Sequence, residues 1–371
     1  MPSDTTFFLR LVVKTTAIAL ILCVVPFAQD MASAQNGSAP AAGAGQNPDA
    51  GPPRTPTPPP SVQRPSSEDS TGQSATPQDQ QPSIMPESGQ DDSGRFVFKK
   101  QVQEVVLHAT VVDETGRLVT GLDRSAFSIY VNGTLEPITS FRREDVPVAM
   151  GIVIDNSGSM RDKREQVNRA VLNLIRASNP QDEIFVVNFN QTPYLDQDFT
   201  SDVNLLQTAL HQVSTRGSTA LYDAVVASAV HLQHNPRLTK KVLLVITDGQ
   251  DNMSRETLQE AIRKLQPNKG ATVYAIGLTD EGLTRTGRDA LQNLATSTGG
   301  VAFFPQGLDD VNSITRSVAH DIRSQYTLAF KPGNASPQKG YQAIRVDARG
   351  PNKSRLTVRT RNGYYPGETI R

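Results

Sequence analysis

Cysteine is nearly missing from this sequence. The one present, Cys23, lies in a segment that reads as a leader, so the processed chain is expected to hold neither thiol nor disulfide. That excludes cysteine catalysis and cysteine-ligated zinc, and it leaves core burial as the source of stability. Lipidation of Cys23 is not expected either, because Leu22 stands before it where a small residue is required. Tryptophan is absent and there are five histidines, scattered along the chain. An excess of one charge is missing as well: 37 Lys and Arg balance 37 Asp and Glu. With no run of like charge, nothing electrostatic points to nucleic acid or an anionic membrane as partner. No G-x-x-x-x-G-K-[ST], H-E-x-x-H or G-x-S-x-G occurs, so the usual signatures of phosphate-loop, zinc-protease and serine-hydrolase chemistry are absent.

What is present begins with a leader, expected over 1–34. Arg10 and Lys14 form a positive flank, 15–27 is apolar, and Ala32-Ser33-Ala34 offers a processing site that leaves Gln35 first. The apolar run is short of the roughly 20 residues that span a bilayer, although an uncleaved anchor remains the alternative. The chain is thus expected to be exported: periplasmic, envelope-associated or secreted. Residues 35–95 carry 12 of the 25 prolines with much Gly, Ser, Ala and Gln. They offer almost nothing apolar to offset the entropy of ordering, and are expected to be a disordered or semi-extended spacer.

From 96 the composition changes. Alternating runs at 105–113 and 127–131, with Asn132-Gly133 as a hairpin turn, predict a small β segment over 96–145. Between 146 and 323 apolar runs alternate with helical spacings. The runs at 148–154, 184–189, 240–247 and 272–277 are apolar on both faces, as in a covered parallel sheet. This rhythm predicts an α/β fold with a doubly wound, mostly parallel sheet. Strand patterns return over 324–371. Neither β segment is large enough to bury a core by itself. The two are expected to pair into one small β-sandwich, with the α/β domain inserted between them.

Three separated pieces carry the chemistry: Asp155-Asn156-Ser157-Gly158-Ser159, then Gly217-Ser218-Thr219 in a loop opening a helix, then Thr247-Asp248-Gly249 after a strand. Two of them lie at the carboxyl ends of predicted parallel strands, where open α/β sheets form their ligand crevice. Asp155, Ser157 and Ser159 in D-x-S-x-S spacing, with Thr219 and Asp248, resemble the metal-ion-dependent adhesion site of von Willebrand factor A domains. The resemblance covers the middle of the chain and all five positions. Signal, Pro-rich spacer and flanking β segments together are similar to secreted bacterial proteins related to that family. The resemblance implies one divalent ion, Mg²⁺ or else Mn²⁺ or Ca²⁺, held at Asp155, Ser157, Ser159, Thr219 and Asp248. It also implies a protein partner whose Asp or Glu completes the coordination.

The residue types suit that chemistry. Mg²⁺ takes oxygen ligands in octahedral geometry, and hydroxyls with only two carboxylates leave it electron-poor. Ser157 or Ser159 capping the following helix is the plain structural alternative. Asp223, four residues after Thr219, suits either orienting a metal-bound water or a solvated helix face. Asp251 and Asn252 suit a ligand rim or a polar loop. His231 and His234 are i, i+3 at a helix end without a third ligand nearby in sequence. Tyr194, Tyr222 and Arg216 are candidate contact residues. The expected function is metal-dependent protein binding without enzymatic activity. A structural or assembly subunit of an envelope complex is the alternative, and a metal-dependent hydrolase a more distant one.

Overall fold

The computed structural model describes residues 88–90, 96–98 and, from Glu104 to Glu368, all but 144, 212–213, 236, 279–282, 334–338, 351–353 and 355. The expected leader, and all but 88–90 of the expected spacer, lie outside the described residues. Strands β1 (Ser88–Gln90) and β2 (Phe96–Phe98) pair antiparallel. Paired backbone therefore begins inside the stretch expected as spacer.

Strands β3 (Val105–Val112), β4 (Phe127–Val131), β5 (Thr134–Glu136) and β6 (Ile138–Arg142) come next. Asn132 and Gly133 turn β4 into β5 with φ of 49° and 85°, the left-handed pair that matches the twist of a tight hairpin. The chain then alternates. Strand β7 (Val148–Asp155) leads to helix α1 (Arg164–Ala177), then β8 (Glu183–Phe189), β9 (Pro193–Thr200), α2 (Val203–His211) and α3 (Leu221–His231). After these come β10 (Lys240–Thr247), α4 (Leu258–Leu265), β11 (Thr272–Gly277), α5 (Arg285–Thr298), β12 (Ala302–Phe303) and α6 (Asp309–Arg323). The six strands form one sheet in the order β12-β11-β10-β7-β8-β9, parallel except for the edge strand β9.

Both faces of that sheet are covered, which is why its central strands read as unbroken apolar runs. Along β7, Val148, Met150, Ile152 and Ile154 join one core with α1, α2 and α6. Ala149 and Val153 join the other, with α3, α4 and α5. Gly151 lies between these last two, and the Phe185 ring occupies the room its missing side chain leaves: a methyl there would stand 2.3 Å from Phe185 Cζ and 2.6 Å from Leu243 Cδ2.

Past α6 the chain forms β13 (Tyr326–Phe330), β14 (Gln342–Ala348), β15 (Thr357–Arg359) and β16 (Gly363–Tyr364). These interleave with the N-terminal strands in two four-stranded sheets, β15-β3-β13-β6 and β16-β14-β4-β5. The sheets share one apolar core that includes Leu107, Ile129, Leu328 and Val346. Strand β13 lies between β3 and β6, so the C-terminal chain completes a sheet that the N-terminal segment leaves open. Tyr326 locks this arrangement: its hydroxyl donates to the Val119 carbonyl at 2.8 Å and accepts from the Leu122 N–H at 2.9 Å. The α/β part is tied to the sandwich by Arg361, whose buried guanidinium donates to the carbonyls of Pro267 and Gly270. The Arg359–Asp321 ion pair adds a second tie.

Gly151→Ala is expected to cost about 1–3 kcal/mol, because the backbone of a central strand and a fully enclosed ring have little room to yield. Denaturant unfolding measures it; an unchanged midpoint would contradict this packing.

Candidate metal centre

Neighbouring strands β7 and β10 run parallel and in register up to Ile154 opposite Ile246. Asp155 ends β7, and Thr247 ends β10 with Asp248 next. The fold therefore delivers both carboxylates to the same end of the sheet. Both residues are 0% exposed. Asp155 Oδ1 accepts the Ser157 N–H at 2.8 Å, and Oδ2 accepts the Thr247 hydroxyl at 2.5 Å. Burial raises the Asp155 carboxyl above the usual carboxylate range; the hydrogen bonds from Thr247 and Ser157 oppose that, and the Asp248 charge adds to it.

The hydroxyls converge on these groups. Ser157 Oγ lies 3.2 Å from Ser159 Oγ, and the Ser159 hydroxyl donates to Asp248 Oδ1 at 2.8 Å. Neither serine caps a helix. Ser157 precedes the short 3₁₀ turn Gly158–Met160 without a side-chain cap bond, and α1 starts after Lys163, also without one. The structural alternative for this pair therefore does not describe what their side chains do. Thr219 arrives from the second of the three loops. A methyl at Gly249 would stand 3.3 Å from Thr219 Oγ1 and 4.0 Å from Asp155 Oδ2, so these two oxygens flank one small space that only glycine leaves open.

Backbone hydrogen bonds hold the three loops together. Asn252 clamps Thr219 from both sides: its Oδ1 accepts the Thr219 N–H at 2.9 Å, and its own N–H donates to the Thr219 carbonyl at 3.0 Å. The Arg216 N–H donates to the Asn156 carbonyl at 2.9 Å, and Gly158 N–H to the Gly217 carbonyl at 3.3 Å. Gly217, at φ 83°, makes the turn that presents this carbonyl.

All five predicted residues thus come together. Lys163 was not anticipated, yet its Nζ lies 2.5 Å from Asp248 Oδ2. The roles of Thr247 and Asn252 were likewise unforeseen. Other candidates have different work. The Asp223 carboxylate accepts the N–H groups of Arg255 (3.0 and 3.1 Å) and Glu256 (3.0 Å), which pins the loop after the site. Asp251 accepts from the Tyr222 N–H at 3.3 Å and the Ser254 hydroxyl, at the start of α3. His231 bonds Asp198 and stacks on Phe199. Among the described residues no three His, Cys, Asp or Glu side chains cluster as a metal site. The centre is instead built of hydroxyls around two carboxylates, the donor set that suits a hard, oxygen-seeking cation.

Residues 150–250, from β7 to just past Asp248, match the family model of the von Willebrand factor type A domain. No curated protein matches the sequence. Similar solved structures include proximal thread matrix protein 1 from the mussel byssus, 19% identical over 52% of this chain and 51% of that one, TM-score 0.44. The chain thus spans about half the length of the mussel protein. Another is a von Willebrand factor type A protein from Catenulispora acidiphila, 15% identical over 74% and 78%, TM-score 0.42. A third is BatB from Bacteroides thetaiotaomicron, 19% identical over 47% and 97%, TM-score 0.39. One structure of the mussel protein has zinc in its adhesion-site motif.

Asp223→Ala is expected to release the loop it pins. Amide exchange at Arg255 and Glu256 should quicken by about tenfold, the worth of one charge-assisted hydrogen bond. Unchanged exchange at both amides would contradict the pinning role.

Proposed function

We propose that this protein is an exported, non-enzymatic binding protein that holds one divalent cation at Asp155, Ser157, Ser159, Thr219 and Asp248. Through that ion it would engage a carboxylate of a protein partner. The observation that carries the reading is the convergence of three hydroxyls, none of them used as a helix cap, on two fully buried carboxylates. Adjacent buried carboxylates are costly unless cations or hydrogen bonds balance them. The family match over 150–250 spans the whole set.

Each residue has its own part. Asp155 is oriented from both sides, by Thr247 and by the Ser157 amide, so its carboxylate is preorganised. Ser159 links the first loop to Asp248. Asn252 fixes the backbone of Thr219, which keeps that hydroxyl at the mouth of the space beside Gly249. A bound Mg²⁺ or Mn²⁺ would supply an electrophilic centre that attracts an outside Glu or Asp. Ser159 is exposed, so the centre opens to solvent on that side.

The proposal extends to place and organisation. A leader over 1–34 and a spacer after it would export the folded part and hold it at a distance. Among the described residues no helix is long and apolar enough to cross a membrane. The α/β domain, 146–323, would present the site, with the sandwich of 96–145 and 324–371 as its base.

Two measurements test this. Calorimetric titration with Mg²⁺ or Mn²⁺ should give one-site binding. Asp155→Ala should weaken it by more than the roughly 10–100-fold typical of outer-shell changes. No heat with the wild type, or the same heat with the variant, would refute the site. Pull-down from envelope extract should capture a protein that EDTA releases; a partner that survives chelation would favour the structural role instead.

A further inference from the structure

We propose that the Lys163 ammonium is a tethered counter-ion of this centre. It sets the affinity for the divalent ion by competing with it for the Asp248 carboxylate. This rests on the metal-binding reading above and adds a chain-borne control to it.

The geometry is direct. Lys163 Nζ lies 2.5 Å from Asp248 Oδ2, with the lysine side chain 13% exposed and the aspartate 0%. The other oxygen of the same carboxylate takes the Ser159 hydroxyl. Asp248 is therefore engaged on both oxygens, one of them by a full positive charge. Asp155 differs: its two oxygens accept from neutral donors, the Thr247 hydroxyl and the Ser157 amide. Arg164, next in sequence, turns toward the Asp155 carbonyl oxygen and the Asn188 amide rather than toward either carboxylate.

The position of Lys163 is informative. It stands at the N-terminus of α1, its backbone fixed by an N–H bond to the Met160 carbonyl at 3.1 Å. A cation is disfavoured at a helix N-terminus, where the peptide dipoles already present positive charge. Its ion pair with a buried carboxylate offsets that disadvantage. The consequence follows from Coulomb's law. A fixed unit charge within a few ångströms of a divalent ion, in a site of reduced dielectric, opposes its binding strongly. Lys163 neutralises one of the two carboxylates, so the centre offers a divalent ion about half the negative charge that its aspartates carry. Binding then becomes an exchange, in which the ammonium gives up Asp248 as the ion arrives.

The test uses the folded chain with Lys163→Met and Lys163→Gln, each removing the charge, and Lys163→Arg, which keeps it. Mg²⁺ affinity is read by calorimetry and thermal midpoints in EDTA and in Mg²⁺. The uncharged variants should bind Mg²⁺ about tenfold tighter or more. They should melt lower in EDTA and gain more from Mg²⁺ than the wild type, while Lys163→Arg stays near wild type. Wild-type binding that Asp155→Ala abolishes, with no tightening in Lys163→Met or Lys163→Gln, overturns this inference and leaves the metal reading standing. No Mg²⁺ binding in the wild type or in either uncharged variant overturns both.

Discussion

Two aspartates buried side by side at the ends of adjacent parallel strands govern the architecture of this centre. A carboxylate removed from water is costly, and two together more so. The surroundings are arranged to meet that cost. Asp155 receives a hydroxyl and an amide; Asp248 receives a hydroxyl and an ammonium. The register that places β7 against β10 makes the two neighbours, and the apolar layers on both sides of the sheet hold that register. Thr247 works at this junction, since it ends one strand while its hydroxyl orients the carboxylate ending the next.

The rest of the molecule is fastened at the opposite end of the sheet, at the residues just before β11. The sandwich is made from chain on both sides of the α/β part, and β13 fills the gap between β3 and β6 only three residues after α6 ends. Arg361 fastens the two parts at the loop before β11, and the Arg359–Asp321 pair does so at the end of α6.

Much of this was legible in the sequence, for identifiable physical reasons. Strands covered on both faces must be apolar at every position, so β7, β8, β10 and β11 stood out as unbroken runs. Asp155, Ser157, Ser159, Thr219 and Asp248 could be picked out because their spacing is a known pattern and two of the pieces follow such strands; the structure brings the five together. Lys163 was not legible, because a lysine at the start of a helix looks like ordinary surface charge until a strand 85 residues away delivers its partner. Asn252 and Asp223 read as polar loop and helix face, yet both restrain loops, through bonds to backbone amides that no side-chain pattern reveals. The pairing of Ser88–Gln90 was equally hidden, since Ser, Gly and Gln carry no strand signal.

The central claim is that one cation is shared by the oxygens of three loops. Anomalous scattering from Mn²⁺-soaked crystals tests it most directly. A single peak bounded by the side-chain oxygens of Asp155, Ser157, Ser159, Thr219 and Asp248 is the expected result. A peak elsewhere on the molecule with none among these five, at a Mn²⁺ concentration that fills other sites, would contradict it.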